Sequence, residues 1–206
     1  MSSYSNLNDF VANVQACKDR KFDKILDGIK ASGTERMLLK HITQLDQVLE
    51  ILDMHKHTLG WLAVLATKFS VPTIPDFEAL FSKACNFVAA CDEEQIRLAP
   101  DMFASLCHRM TDALVDRKKP MRGIVVLKRA ISKMQSDASQ LTMVHPDLCR
   151  LCLLAKCYKP ALPLLALDVM DICVEKCYMI SKNSMRQLPR SIRLGTPLAN
   201  DKGTFG

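Results

Sequence analysis

The sequence predicts an all-α fold: a right-handed helical-repeat solenoid of the tetratricopeptide or HEAT kind, built from antiparallel helix pairs and followed by a disordered carboxy-terminal tail. Three observations carry that reading. Apolar residues recur at three and four residues along most of the chain, the period of a helix with one buried face. No segment shows the alternation between hairpin turns that marks a strand. Two stretches separated by 38 residues resemble one another, a spacing within the range of stacked helix pairs.

The elements follow in order. Leu7, Phe10, Val11, Val14 and Cys17 form the first stripe, with Asn6 placed to cap it. Phe22, Ile25, Leu26 and Ile29 form the second, and Gly33 is positioned to close that helix in the left-handed conformation. Leu45, Val48, Leu49 and Leu52 make a third. Leu59 to Phe69 is apolar nearly all round, which predicts a central, buried helix. Pro72 and Pro75 then interrupt the chain, since neither can donate an intrahelical hydrogen bond. Asp76 caps a helix whose inner stripe is Leu80, Phe81, Ala84, Phe87, Val88 and Cys91. Pro100 opens or kinks the next, with Phe103, Leu106, Cys107, Met110 and Leu114 facing inward. Asp116 to Pro120 stops it. Ile124, Leu127, Ile131 and Met134 form another stripe, Ser136 to Gln140 is a polar loop, and Pro146 opens the last helix.

The two similar stretches are Arg122-Gly123-Ile124 with Leu127, after the turn at Lys118 to Pro120, and Pro160-Ala161-Leu162 with Leu165, after Lys156 to Lys159. In each, a small residue permits close approach to the preceding helix. This favours a stacked solenoid over a closed bundle.

Composition narrows the function. Of 206 residues, 49% are apolar and 24% charged, the balance of a globular chain rather than a disordered one. The longest apolar run, Leu59 to Ala66, is far short of the roughly 20 residues that span a bilayer. No signal-peptide core opens the chain. Nine cysteines, an odd number set mostly among leucines and alanines, fit a reducing compartment, cytosol or nucleus. The net charge of +6 is uneven: six basic and two acidic residues between Val174 and Gly206 account for +4 of it. A nucleic-acid footprint lies on a folded face with stacking aromatics. This one lies in a segment whose aromatics are Tyr178 and Phe205, so it reads as solvated tail. Neither nucleic acid nor membrane is an expected partner.

His145, Cys149, Cys152 and Cys157 have the ligand types of a zinc site. They lie in an apolar helix, however, and eight residues of helix separate Cys149 from Cys157 by about 12 Å, too far for one ion. Core cysteines are the better reading, with a small zinc-binding protein using His145, Cys149 and Cys152 as the alternative. His55-Lys56-His57 resembles the His-x-His half of a zinc metalloprotease motif, but the positions that should supply Ser and Asp are Leu65 and Lys68. Cys107 and His108 are neighbours, and adjacent helical side chains diverge, so one is expected buried and the other exposed. Asp92-Glu93-Glu94 reads as the acidic first turn of a helix. Seven glycines and no phosphate-cradling motif leave nothing for nucleotide chemistry. No catalytic, cofactor-binding or metal residue is nominated, and no enzyme is expected.

Three longer stretches are specific: His57 to Phe81, Leu106 to Ile124 and His145 to Pro163. Together they closely resemble the family of the third subunit of the COP9 signalosome, over a span from about residue 8 to Cys173. The resemblance implies a non-catalytic scaffold in the complex that removes a ubiquitin-like modifier from cullins, the deneddylation step of the cullin-RING ubiquitin ligases. The zinc and the isopeptide hydrolysis belong there to a different subunit. It implies other signalosome subunits as partners, no cofactor, and a place in cytoplasm and nucleus. Family members carry a helical-repeat arm followed by a PCI (winged-helix) domain. In this chain residues 1–173 are assigned to the arm and 174–206 to a divergent, basic, disordered tail, with the PCI domain absent. The chain is thus read as a truncated or alternative form, and a fragment that fails to enter the complex is the competing expectation. An array cut near Cys173 should leave Leu162, Leu164, Leu165 and Met170 poorly covered, because a solenoid repeat buries its apolar face only against a neighbour.

Overall fold

The computed structural model describes residue 4 and residues 6–16, 22–137 and 140–162. Among these residues there are helices and turns and no strand. The fold is an all-α helical repeat, as the apolar periodicity predicts.

The first helix, α1 (Leu7–Gln15), starts where Asn6 Oδ1 accepts the Asp9 amide at 2.8 Å and buries Leu7, Phe10 and Val14. Cys17 lies outside the described residues. Helix α2 (Phe22–Lys30) buries Ile25 and Ile29, but it does not end as the sequence predicts. Gly33 closes nothing; it stands in the first turn of a further helix, α3 (Ser32–Lys40). The break comes at Ala31, whose extended backbone (φ −63°, ψ 131°) separates the two. The Thr34 hydroxyl donates to the Gly28 carbonyl at 2.6 Å, so a side chain satisfies the helix end where a left-handed glycine was expected.

After a 3-10 turn (Ile42–Gln44) comes α4 (Leu45–Ile51), burying Leu45, Val48 and Leu49, with Leu52 also buried at its extended C-cap. Helix α5 (Thr58–Lys68) is buried on nearly every side. Its leucines 59, 62 and 65 are each at most 2% exposed, and full burial of one leucine contributes about 2 kcal/mol. Helices α1 to α4 pack around it. Trp61 Nε1–H donates to the Leu52 carbonyl at 2.8 Å and its ring stacks on Phe87 at 6.1 Å, fixing α5 against its neighbours on two sides.

Beyond the proline-broken loop, Asp76 Oδ1 accepts the Ala79 amide at 3.0 Å and opens α6 (Phe77–Ala90). Its predicted stripe is buried throughout. Asp92 caps α7 (Glu93–Leu98), a short helix of which only the acidic start is visible in the sequence. Pro100 is at the start of α8 (Pro100–Asp116), followed by α9 (Met121–Met134) and α10 (His145–Leu154).

The 38-residue similarity is a repeat of backbone geometry as well as of sequence. At the end of α8, Lys118 N–H donates to the Val115 carbonyl and Lys119 N–H to Leu114, both at 2.9 Å. At the end of α10, Lys156 N–H donates to Leu153 at 3.1 Å and Cys157 N–H to Cys152 at 2.9 Å. Each donor and acceptor is displaced by 38 residues. Both ends are Schellman closures, with Lys118 (φ 56°) and Lys156 (φ 53°) left-handed. The next turn repeats too: Gly123 N–H donates to Pro120, and Ala161 N–H to Tyr158. The close approach read from Gly123 is real, since a Cβ there would stand 2.7 Å from Leu114 Cδ1 and overlap Leu151.

Candidate interaction surface

The residues that could have carried chemistry are dispersed into the packing. His145 is 5% exposed, and its Nδ1 accepts the Thr142 amide at 2.8 Å, a local bond at the start of α10. Burial lowers its pKa and keeps the ring neutral. Cys152 is buried and its thiol is pushed up to about 11, while burial also raises Cys149. Zinc binds thiolate, so both environments oppose it. Among the described residues no three His, Cys, Asp or Glu side chains gather as a metal group.

His57 sits immediately before α5 and its Nδ1 accepts the Asp53 amide at 3.0 Å; His55 Nδ1 lies 3.3 Å from the Ala90 carbonyl. Both are turn residues. Leu65 is core, and Lys68 is paired with Asp46. Cys107 is fully buried while the His108 side chain is 60% exposed, the divergence expected of helical neighbours.

Other polar groups, which no sequence motif announced, tie one helix layer to the next. Gln95 donates through Nε2 to the His55 and Lys56 carbonyls and accepts the Leu59 amide, joining α7 to the entry of α5. Glu78 on α6 receives Lys119 from the α8–α9 turn and Arg122 from the first turn of α9, and these hydrogen bonds hold its carboxyl below the usual range. The Arg117 and Arg122 guanidiniums lie over the Phe77 and Phe81 rings at 4.1 and 4.7 Å. Asp46 accepts both Lys68 and Lys83; burial raises its carboxyl, and the two lysines outweigh burial and lower it. His108 Nδ1 lies 3.0 Å from Asp147 Oδ1, and Arg150 donates to Asp112, stitching α8 to α10. Burial raises Asp147, against the opposing pull of His108. These partners stand 22 to 44 residues apart, so nothing local in the sequence marks them.

Two shallow clefts run between layers. One, of about 300 Å³, lies between α2–α3 and α8 over Ala63 and Ala66. Arg109 crosses it, donating to the Ala66 carbonyl at 2.8 Å. The other, of about 320 Å³, lies beside the Asp46 cluster. Among the described residues Ile51, Met121, Val125, Leu154, Tyr158 and Leu162 are each about half exposed. Leu162 is the last described residue, and Leu164, Leu165 and Met170 lie outside the described residues, as does the tail assigned to 174–206. No described helix is long and apolar enough to cross a membrane.

Stacked helix pairs, exposed faces and engaged polar groups describe a repeat protein, and comparison with known proteins says which. The family model for the COP9 signalosome complex subunit 3 N-terminal helical repeats matches residues 19–187. The chain belongs to that family. It is 36% identical to COP9 signalosome complex subunit 3 of Dictyostelium discoideum over 152 residues, which is 72% of this chain and 36% of that protein. Against COP9 signalosome complex subunit 3 of Drosophila melanogaster it is 36% identical over 157 residues, 70% of this chain and 35% of the relative. The chain therefore spans about a third of the length of these subunit 3 relatives. The described helices α2 to α10 fall within the matched span.

Proposed function

We propose that this chain is a non-catalytic scaffold arm of the COP9 signalosome, and that it acts in cullin deneddylation by binding other subunits. The observation that carries the reading is the subunit 3 family match over 19–187, on a fold whose repeats recur in backbone detail. Helical solenoids present long faces of exposed side chains, which is the equipment of a docking protein. The chemistry points the same way. The Cys91 thiol is raised to about 11 and Cys107 is raised further by complete burial, so neither is a thiolate at neutral pH. His55 and His57 are occupied in turn geometry. Residues 1–173 are the docking arm in this account, working in cytoplasm and nucleus.

A tagged chain expressed in cells and recovered with its partners tests the proposal by mass spectrometry. Recovery of signalosome subunits in fixed proportion is expected. Recovery of chaperones and degradation factors alone would identify a fragment that does not enter the complex.

A further inference from the structure

The Schellman closure of α10 brings two thiols together. Its longer hydrogen bond runs from the Cys157 amide to the Cys152 carbonyl at 2.9 Å. Ordinary bond lengths on either side of that contact hold the two Cα atoms within about 7 Å of each other, the limit for a disulfide. In closures of this type the side chains at these two positions commonly meet as well. Cys152 is buried in the core, Cys157 is half-buried against the same cluster, and both are free thiols. Burial raises the Cys152 thiol to about 11, and the neighbouring Cys149 and Cys157 sulfurs add to the rise.

The matching closure, at the end of α8, has Leu114 and Lys119 at the equivalent places. There Lys119 turns out to Glu78, so an ion pair holds that turn from outside. The closure of α10 carries sulfur at both positions instead. Cys149 is the competing partner for Cys152, three residues back on the same helix. Helical residues at that spacing keep their Cβ atoms about 5–6 Å apart, whereas a disulfide needs about 3.5–4.5 Å. Bridging Cys149 to Cys152 would therefore unwind a turn of α10. Bridging Cys152 to Cys157 leaves the helix intact.

We propose that Cys152 and Cys157 are a redox pair, joined by a reversible disulfide that staples the last turn of α10 to the turn after it. The pairing rests on the backbone closure and does not depend on what packs against this edge. The oxidant is a small-molecule disulfide. The Cys157 thiolate attacks one of its sulfurs and expels the first thiolate, leaving a mixed disulfide. Cys152 loses its proton to water, attacks the Cys157 sulfur and expels the second thiolate. The two protein thiols give up two electrons and two protons, and the small disulfide becomes two thiols. In a reducing compartment such a bond forms transiently, as a sensor's does.

Oxidised glutathione added to the full chain at mildly alkaline pH, followed by digestion with trypsin and chymotrypsin, tests the pairing by mass spectrometry. Peptides linking Cys152 to Cys157 should exceed those linking Cys149 to Cys152 by about tenfold. Dithiothreitol should reverse the link, and the link should form faster as pH rises, because Cys152 must ionise to resolve the mixed disulfide. Cys149→Ser should leave it in place, and Cys157→Ser should abolish it. Hydrogen exchange of the unsubstituted chain gives a second readout: the Cys157 amide should exchange about tenfold more slowly once the bridge is closed. A dominant Cys149–Cys152 link, a glutathione adduct left unresolved on Cys157, or a chain whose Cys152 and Cys157 stay unlinked would overturn the proposal. None of these outcomes bears on recovery of signalosome subunits, so the docking reading stands or falls separately.

Discussion

Gly123 sets how closely the last helices approach. With Leu114 at 2.7 Å from a hypothetical Cβ and Leu151 overlapping it, Gly123→Val must push two buried leucines aside. Overpacking of this sort costs about 1–3 kcal/mol, and urea denaturation should show that loss. The sequence hinted at this residue, because a small side chain at the start of an apolar stripe invites close packing. Asp147 gave no such hint. It is buried at the third position of α10, and its side-chain partner His108 is 39 residues away. Burial raises its native pKa above the unfolded value. A carboxyl shifted upward adds stability below its unfolded pKa and loses it as pH rises through the native pKa. Asp147→Asn keeps an oxygen to accept from His108 Nδ1–H and removes the buried charge. The variant should therefore melt no lower than the parent at pH 7, and its advantage should shrink as pH falls toward about 4, the unfolded range. Thermal melts at both pH values check this; an advantage that grew on acidification would contradict it.

At the level of elements, the Schellman closures are where sequence and structure agree most closely. The 38-residue spacing was visible because a polar turn, a small residue and an aliphatic recur in order, and the backbone hydrogen bonds recur with it. The left-handed lysines inside those turns were not visible, since lysine carries no preference for that conformation. Replacing Lys118 or Lys156 by glycine should stabilise the fold by about 1 kcal/mol each, measured by chemical denaturation. Helix α3 escaped the reading for a different reason. Its buried Met37 and Leu38 are consecutive and do not trace a three-and-four stripe, and Gly33 resembled a terminator. The boundary is made instead by Ala31 and the Thr34 hydroxyl, a bond to a carbonyl six residues back that no propensity encodes. Helix α7 is too short at six residues for a periodic signal, and its acidic start is all that composition reveals.

Across the whole molecule, the apolar pattern determined the class of fold, and the polar ties decide how successive layers sit on one another. Gln95, Glu78, Asp46 and the Asp147–His108 contact each join helices far apart in sequence, which is why composition could not place them. The cysteines are part of the packing in this account. Dialysis against a chelator should leave the melting temperature unchanged, and elemental analysis should find zinc well below one ion per chain; stoichiometric zinc bound through His145, Cys149 and Cys152 would contradict it. Reconstitution tests whether this chain docks in the signalosome. Purified chain is mixed with signalosome particles assembled without their third subunit, and the products are weighed by native mass spectrometry. The expected product is a particle heavier by one 23.1 kDa chain. A spectrum holding only unchanged particles and free chain would contradict it.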